Sequence, residues 1–97
     1  KYNGNIIVDK YTISSSTTGG TAYYYHDHAN STAYTFTLPS AGTYPGQKYL
    51  ITNSGTGVIT INTTSFQTVS GMASGTIALV QYDSLEVISN GTNWIIV

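Results

Sequence analysis

The run Tyr23-Tyr24-Tyr25-His26-Asp27-His28 places both histidines of the chain beside a carboxylate and three tyrosines. On a β-strand, two residues that are two positions apart project from the same face. The histidines therefore share one face, and Tyr23, Tyr25 and Asp27 share the other. Imidazoles are common metal ligands, and flat rings beside an acceptor suit a small-molecule ligand. The run predicts two candidate sites, one on each face of a strand.

The first candidate site is a metal site formed by His26 and His28. Two imidazoles are only half of a tetrahedral site, and the chain has no Cys and only four carboxylates to complete it. A three-fold axis would complete the site, and we expect one transition-metal ion there in this interpretation. In the alternative interpretation, the histidines are surface or interface residues that bond to hydroxyls or to Asp27 of a neighbour.

The second candidate site is a ligand site formed by Tyr23, Tyr25 and Asp27. The tyrosines offer apolar rings with a polar rim, and the aspartate offers an acceptor, which are parts that carbohydrate binding uses. Against this, nine Tyr beside two Phe suggest that Tyr is the ordinary aromatic of core and interface. Trp94 is expected to anchor the core rather than stack on a sugar.

Enzymatic function is not expected from this sequence. Hydrolysis of a glycosidic bond needs two well-placed carboxylates, and the chain has only Asp9, Asp27, Asp83 and Glu86. A strand would direct Asp83 and Glu86 to opposite faces, because they are three residues apart. The sequence also lacks the Gly-x-Ser-x-Gly pattern of a nucleophile elbow.

Composition favours a protein of a particle surface or the extracellular space. Charged residues make up 7% of the chain, where a soluble domain averages about 25%, and Ser and Thr supply much of the polarity. Three basic residues leave no stripe to neutralise phosphates, so nucleic-acid binding is rejected. No apolar run is long enough for membrane insertion. A net charge of −1 gives little self-repulsion and favours a homo-oligomer.

Short apolar alternations separated by Gly, Ser, Asn and Thr predict an all-β fold. We expect one domain over residues 1–97. We also expect the chain to be a fragment of a longer one, because it starts at Lys1 without Met. Residues 1–20 would hold a first strand, available for exchange in a trimer, and a flexible connector. Residues 21–97 would form a small antiparallel, jelly-roll-like β-sandwich rather than a small barrel. The predicted strands cover 6–13, 22–28, 34–38, 48–52, 58–61, 76–82, 84–89 and 93–97.

Three details of pairing and packing follow from these segments. The turn residues 53–57 predict a hairpin between the strands at 48–52 and 58–61. The last three strands are expected to form a meander, with a turn at Asn90-Gly91. The alternation directs Tyr34, Phe36, Leu38, Tyr49, Ile51, Ile59 and Ile61 into the core.

The segments Leu38-Pro39-Ser40-Ala41, Ile51-Thr52-Asn53-Ser54-Gly55 and Gly91-Thr92-Asn93-Trp94-Ile95 resemble a module of tail-fibre and receptor-binding proteins of bacteriophages and other large DNA viruses. The resemblance covers about the last three-fifths of the chain. The His-x-His pair, His26 and His28, is similar to the motif of trimeric phage spikes and fibres. There, the motif binds an iron-like ion on the axis but lies in a narrow stem or tip.

The resemblance implies a homotrimeric fibre head domain on a virion surface. Its expected function is host attachment, through non-catalytic binding of a cell-surface receptor. The tyrosines and the hydroxyl-rich loops fit a glycan receptor, although the sequence does not name one. The alternative is a purely structural domain that trimerises or caps a fibre or spike. A metal at His26 and His28 would favour the structural role, and binding through Tyr23, Tyr25 or Asp27 would favour the receptor role.

Overall fold

The computed structural model describes residues 8–97, which form β-strands joined by turns and loops and contain no helix. The predicted all-β fold is confirmed. The strands of this part of the chain are β1 Lys10–Thr12, β2 Thr17–Thr18, β3 Tyr25–His28, β4 Tyr34–Thr37, β5 Lys48–Asn53, β6 Ile59–Asn62, β7 Ile77–Leu79, β8 Ser84–Ser89 and β9 Trp94–Ile96. Across residues 8–97 there is no helix of the length and apolarity that crossing a membrane requires.

The strands form two sheets that enclose one core as a small sandwich. The five-stranded sheet has the order β1-β3-β5-β8-β9, and the four-stranded sheet has the order β2-β4-β6-β7. From β1 to β6 the chain alternates between the sheets, so that each turn of the chain adds one strand to each of them. This winding ends at β7, which turns back along β6, and β8 and β9 then extend the larger sheet.

The expected antiparallel, jelly-roll-like pairing is wrong, because both sheets are mixed. β1, β3 and β5 run parallel to one another, and so do β2, β4 and β6. The reason is the winding: each strand enters its sheet after a full turn of the chain and therefore runs in the same direction as its predecessor. Only the pairs β5–β8, β6–β7 and β8–β9 of the described strands are antiparallel.

Two of the predicted connections also differ from the structure. The expected hairpin at 53–57 is instead a crossover, since β5 and β6 lie in different sheets. The expected meander holds only for β8 and β9, because β7 pairs with β6. The turn at Asn90-Gly91 is confirmed, with Gly91 at a φ of 91°.

Residues 8–20 are integrated into the sandwich more than expected. β1 pairs with β3 of the same chain, and the predicted connector contains β2, which pairs with β4. Gly19 is buried and its amide donates to the Thr37 carbonyl. Of the predicted first strand at 6–13, residues 6 and 7 lie outside the described range.

The core lies between the sheets and is built from the inward residues of alternating strands. Phe36, Leu38, Tyr49, Ile51, Ile59 and Ile61 are buried as predicted, and Tyr34 packs against them. Trp94 is fully buried, donates from Nε1 to the Pro39 carbonyl at 3.0 Å, and has its ring 5.4 Å from that of Tyr49. Its predicted role as a core anchor is confirmed.

Gly55 and Gly57 are required by contact between successive turns of the winding. A Cβ atom at Gly55 would lie 2.2 Å from the Asn30 carbonyl oxygen, and one at Gly57 would lie 2.2 Å from that of Thr32. These distances are far below van der Waals contact. The sequence feature that suggested a tight hairpin therefore serves to let the 53–57 crossover stack directly on the 29–32 crossover.

Candidate functional site

β3 directs its residues alternately to the two faces of the larger sheet, as the sequence predicts. His26 and His28 point into the core. Tyr25 and Asp27 instead line a cleft on the outer face. The candidate functional site is this cleft, because it is where aromatic and polar side chains converge at the protein surface.

The cleft has a volume of about 300 Å³, which is at the small end of the range for ligand pockets. It forms where β3 and β5 end and β8 begins. The strand register aligns Asp27, Thr52 and Ser84 in one row across the sheet. The full lining consists of Tyr25, Asp27, Thr52, Asn53, Ser54, Tyr82, Asp83 and Ser84.

Asp27 is the polar centre of the cleft and is only 8% exposed. Its Oδ1 accepts a hydrogen bond from Thr52 Oγ1 at 2.6 Å, and its Oδ2 accepts one from Ser54 Oγ at 3.0 Å. The Tyr25 hydroxyl lies 3.4 Å from Thr52 Oγ1. These bonds fix the carboxylate, and its remaining lone pairs stay available to donors from a ligand.

The turn between β7 and β8 supplies Tyr82 and Asp83 to the lining of the cleft. The Asp83 amide donates to the Val80 carbonyl at 3.0 Å, and the Val80 amide donates to Asp83 Oδ2 at 3.0 Å. Between them, Tyr82 has a φ of 72° and a side chain that is 81% exposed. The Tyr82 amide also donates a hydrogen bond to the Asn53 carbonyl, which ties the turn to the end of β5. A bulky residue thus occupies a backbone conformation that favours Gly or Asn.

The other two tyrosines of the run lie outside the cleft lining. Tyr23, which the sequence assigns to the ligand site, contacts Tyr11 and His26 with ring centroids 5.4 Å and 6.4 Å apart. Tyr24 donates its hydroxyl to Glu86, and this bond is the main cause that raises the pKa of Tyr24 to about 12. Of the predicted ligand residues, the structure therefore brings Tyr25 and Asp27 together.

His26 is buried in a box of aromatic rings. Tyr11 stacks on it at 5.5 Å, and Phe36 and Tyr49 meet it edge-on at 4.7 Å and 5.8 Å. Its Nδ1 is buried without a hydrogen-bond partner among the described residues. Burial lowers the pKa of His26 below its usual 6.5, and a hydrogen bond with the Tyr24 backbone acts in the opposite direction.

His28 is fully buried and, unlike His26, has a partner at each ring nitrogen. Nδ1 lies 2.8 Å from Asn53 Oδ1, and Nε2 lies 2.7 Å from the Thr32 carbonyl oxygen. The Asn53 amide group in turn donates to the carbonyls of Gly57 and Leu79. His28 and Asn53 therefore form a buried polar network that joins the two crossovers and both sheets.

The surface interpretation of His26 and His28 is wrong, because both are buried inside one chain. Their surroundings do not fit a metal site: His26 faces apolar rings, and both nitrogens of His28 are engaged. Within residues 8–97 no group of three or more His, Cys, Asp or Glu side chains is arranged to hold a metal ion. The axial metal site stays a prediction, and it would require the imidazoles to leave the interior.

Sequence reasoning missed the residues that other strands bring to the cleft, above all Tyr82 and Asp83. The sequence predicts Tyr82 as the last residue of the strand at 76–82, and Asp83 is considered only as one of the four carboxylates for catalysis. One local signal is present: a large aromatic next to the junction of two predicted strands, where Gly or Asn is the favoured residue. Thr52 and Ser54 carried no such signal, since their position beside Asp27 depends on the parallel pairing of β3 with β5.

Comparisons with protein-family models, with curated proteins and with solved structures find no match for this chain.

Proposed function

We propose that this chain is a non-catalytic glycan-binding domain that serves host attachment as the head of a viral or phage fibre. The observation that carries the proposal is the cleft, which is lined by Tyr25, Tyr82 and the carboxylate of Asp27. Aromatic rings suit the apolar faces of a sugar ring, and the carboxylate suits its hydroxyl groups. Thr52 and Ser54 hold that carboxylate in place.

The backbone of Tyr82 supports a binding role for this cleft. A non-glycine residue with positive φ costs about 1–3 kcal/mol, and such strain clusters at functional sites. The tyrosine contributes little to the core, because its side chain is 81% exposed. Phe66 also combines a positive φ, of 61°, with an exposed ring, and Tyr82 differs from it in lining the cleft.

Non-catalytic binding is supported by the hydrogen bonds of the two carboxylates in the cleft. Asp27 accepts from two hydroxyls and Asp83 accepts from a backbone amide. Cleavage of a glycosidic bond needs one carboxyl group that donates a proton. Two acceptors are better suited to receiving hydroxyl donors from a sugar.

Host attachment is supported by the low charge of the chain and by the resemblance of its Leu38–Ile95 segments to fibre modules. A small cleft gives modest affinity for one site. Several copies on a homotrimer, and several trimers on a virion, would convert this into high avidity. The proposed location is therefore the virion surface.

A glycan array with the purified domain tests the binding function. We expect defined glycan hits that weaken at least about tenfold, or about 1.4 kcal/mol, in Asp27→Ala and in Tyr82→Ala. Tyr44→Ala is the matched control, since Tyr44 is 38% exposed and does not line the cleft. An empty array, or equal losses in the control, would contradict the proposal.

A second candidate function is a structural one, trimerisation or capping of a fibre. It is favoured by the apolar run Ile95, Ile96 and Val97, which are 37%, 40% and 62% exposed. Native mass spectrometry tests it by reporting subunit number and bound metal together. A trimer that dissociates in Ile95→Ser would support this role, and a monomer would contradict it.

A further inference from the structure

We propose that the cleft selects neutral glycans with adjacent free hydroxyls and rejects glycans that carry a carboxylate or sulfate at the bound residue. This inference rests on the proposed glycan-binding function and specifies its ligand class. It follows from the charges of the cleft rather than from its shape.

The charged groups of the cleft are both negative. Among residues 8–97, Asp27 and Asp83 line it and no cationic side chain does. The lysines of this range are Lys10, which is the register partner of Tyr25 on β1, and Lys48, and neither belongs to the lining. An anionic sugar would meet two like charges with no cation to offset them, and like charges brought together across an interface are strongly unfavourable.

The hydrogen-bonding capacity of the cleft points in the same direction. An ionised carboxylate only accepts hydrogen bonds, and it can accept about four. Thr52 and Ser54 occupy part of the capacity of Asp27 from within the protein. Hydroxyl groups of a neutral sugar can donate to what remains, whereas a ligand carboxylate or sulfate has no proton to donate.

The two hydroxyls bonded to Asp27 do not offer donors to an anion. Thr52 Oγ1 donates to Asp27, and Ser54 Oγ lies within bonding distance of both Asp27 and the His28 carbonyl, so the protons of these two hydroxyls are used within the protein. The hydroxyls of Tyr25, Tyr82 and Ser84 also line the cleft, but they are neutral and do not offset the charge of the two carboxylates. The main-chain amides of Tyr82 and Asp83 are also engaged, in bonds to the carbonyls of Asn53 and Val80. Around Asp27 and Asp83 the cleft therefore presents acceptors, and an anionic ligand finds no charged donor in the lining.

Adjacent hydroxyls are favoured because the two oxygens of one carboxylate can bind two neighbouring donors. If the edge of the sugar ring binds Asp27, the apolar face of the ring would lie against Tyr25 or Tyr82, which line the same cleft. This arrangement favours the binding of a sugar ring that has hydroxyls on one edge and carbon-bound hydrogens on its face.

The test is an array of matched glycan pairs that differ only by a terminal sialic acid or a sulfate, followed by titration of the best hit and its acidic partner. We expect the acidic partner to bind at least about tenfold more weakly. The difference should shrink at high salt, where the charges are screened. Titration with and without EDTA reports whether a cation bridges ligand and carboxylates, and a requirement for a cation would overturn the inference.

Asp83→Asn is the diagnostic variant, because an asparagine oxygen can still accept from the Val80 amide while the charge is lost. The ratio of neutral to acidic affinity should fall at least about threefold in this variant. An unchanged ratio, or wild-type preference for acidic glycans, would overturn the inference. Acidic hits that are lost in Asp27→Ala would leave the proposed function standing, whereas binding of no glycan would overturn both.

Discussion

The two faces of β3 differ in how their polar groups are used. On the inner face, His28 and Asn53 bond to each other and to backbone groups, and His26 is enclosed by aromatic rings. On the outer face, Asp27 is held by two hydroxyls but faces an open cleft. Adjacent residues of one strand thus contribute to the core on one side and to the cleft of our proposed binding site on the other.

Mutations should separate the contribution of the inner face to stability from the proposed contribution of the outer face to binding. Changes at inward residues are expected to lower stability, because they create cavities or leave buried polar groups without a hydrogen-bond partner. A change at the exposed cleft residue Tyr82 is expected to lower binding with little effect on folding, whereas Asp27→Ala also removes the acceptor of the Thr52 and Ser54 hydroxyls. Each prediction below either breaks this division or sharpens it.

The largest effect is expected for Trp94→Ala. Removing this fully buried side chain should cost about 3–5 kcal/mol of unfolding free energy. Thermal or denaturant unfolding measures the loss. An unchanged melting temperature would contradict the assignment of Trp94 to the core.

His28→Ala is expected to have the next largest effect. It removes one partner of Asn53 Oδ1, which keeps its bond from the Gly55 amide, and the side-chain partner of the buried Thr32 carbonyl, and it should cost about 3 kcal/mol. For a domain of this size that corresponds to a fall in melting temperature of about 12 °C or more. Tyr25→Ala is the control from the same strand, and a comparable loss there would break the division between the two faces.

Tyr82→Gly should separate binding from stability. Glycine accepts a φ of 72° without steric cost, so the variant should be as stable as the parent or more stable by up to about 1 kcal/mol. Glycan affinity should nevertheless fall at least about tenfold. Binding that survives this change would remove Tyr82 from the site, and a large loss of stability would show that its ring packs on the domain.

The smallest effect concerns the pH dependence of stability through His26. Because its pKa is lowered in the folded state, the unfolded chain binds more protons as the pH falls below 6.5. The contribution of His26 is therefore fully present above pH 6.5 and is lost as the pH falls through its folded pKa. Unfolding free energies of the parent and His26→Phe between about pH 7 and pH 5 measure this, and the variant should show the shallower decline. Equal slopes would show that burial does not govern this group.

The inward residues could be predicted from sequence because their alternation is local. Phe36, Tyr49 and Ile59 follow the two-residue period of a strand, and all are buried. The sheet to which each strand belongs could not be predicted in the same way. The turn residues around Gly55 look alike whether the chain reverses into a hairpin or crosses to the other sheet, and distant packing decides between them.

The same limit applies to the cleft. Tyr25 and Asp27 were predicted from the spacing on one strand, but Thr52 and Tyr82 reach them only through tertiary structure. The burial of His26 and His28 was also missed. Polar residues on an alternating strand are expected at the surface, and the partners that satisfy His28 lie on other segments.

The central claim is that the outer-face cleft binds a glycan. The most direct measurement is a titration of the ¹⁵N-labelled domain with the best neutral glycan from the array, followed by amide chemical shifts. The account predicts that the shifts concentrate at residues 25–27, 52–54 and 82–84, with little change around Phe66 in the loop that follows β6. Shifts confined to another surface, or none at saturating glycan, would contradict it.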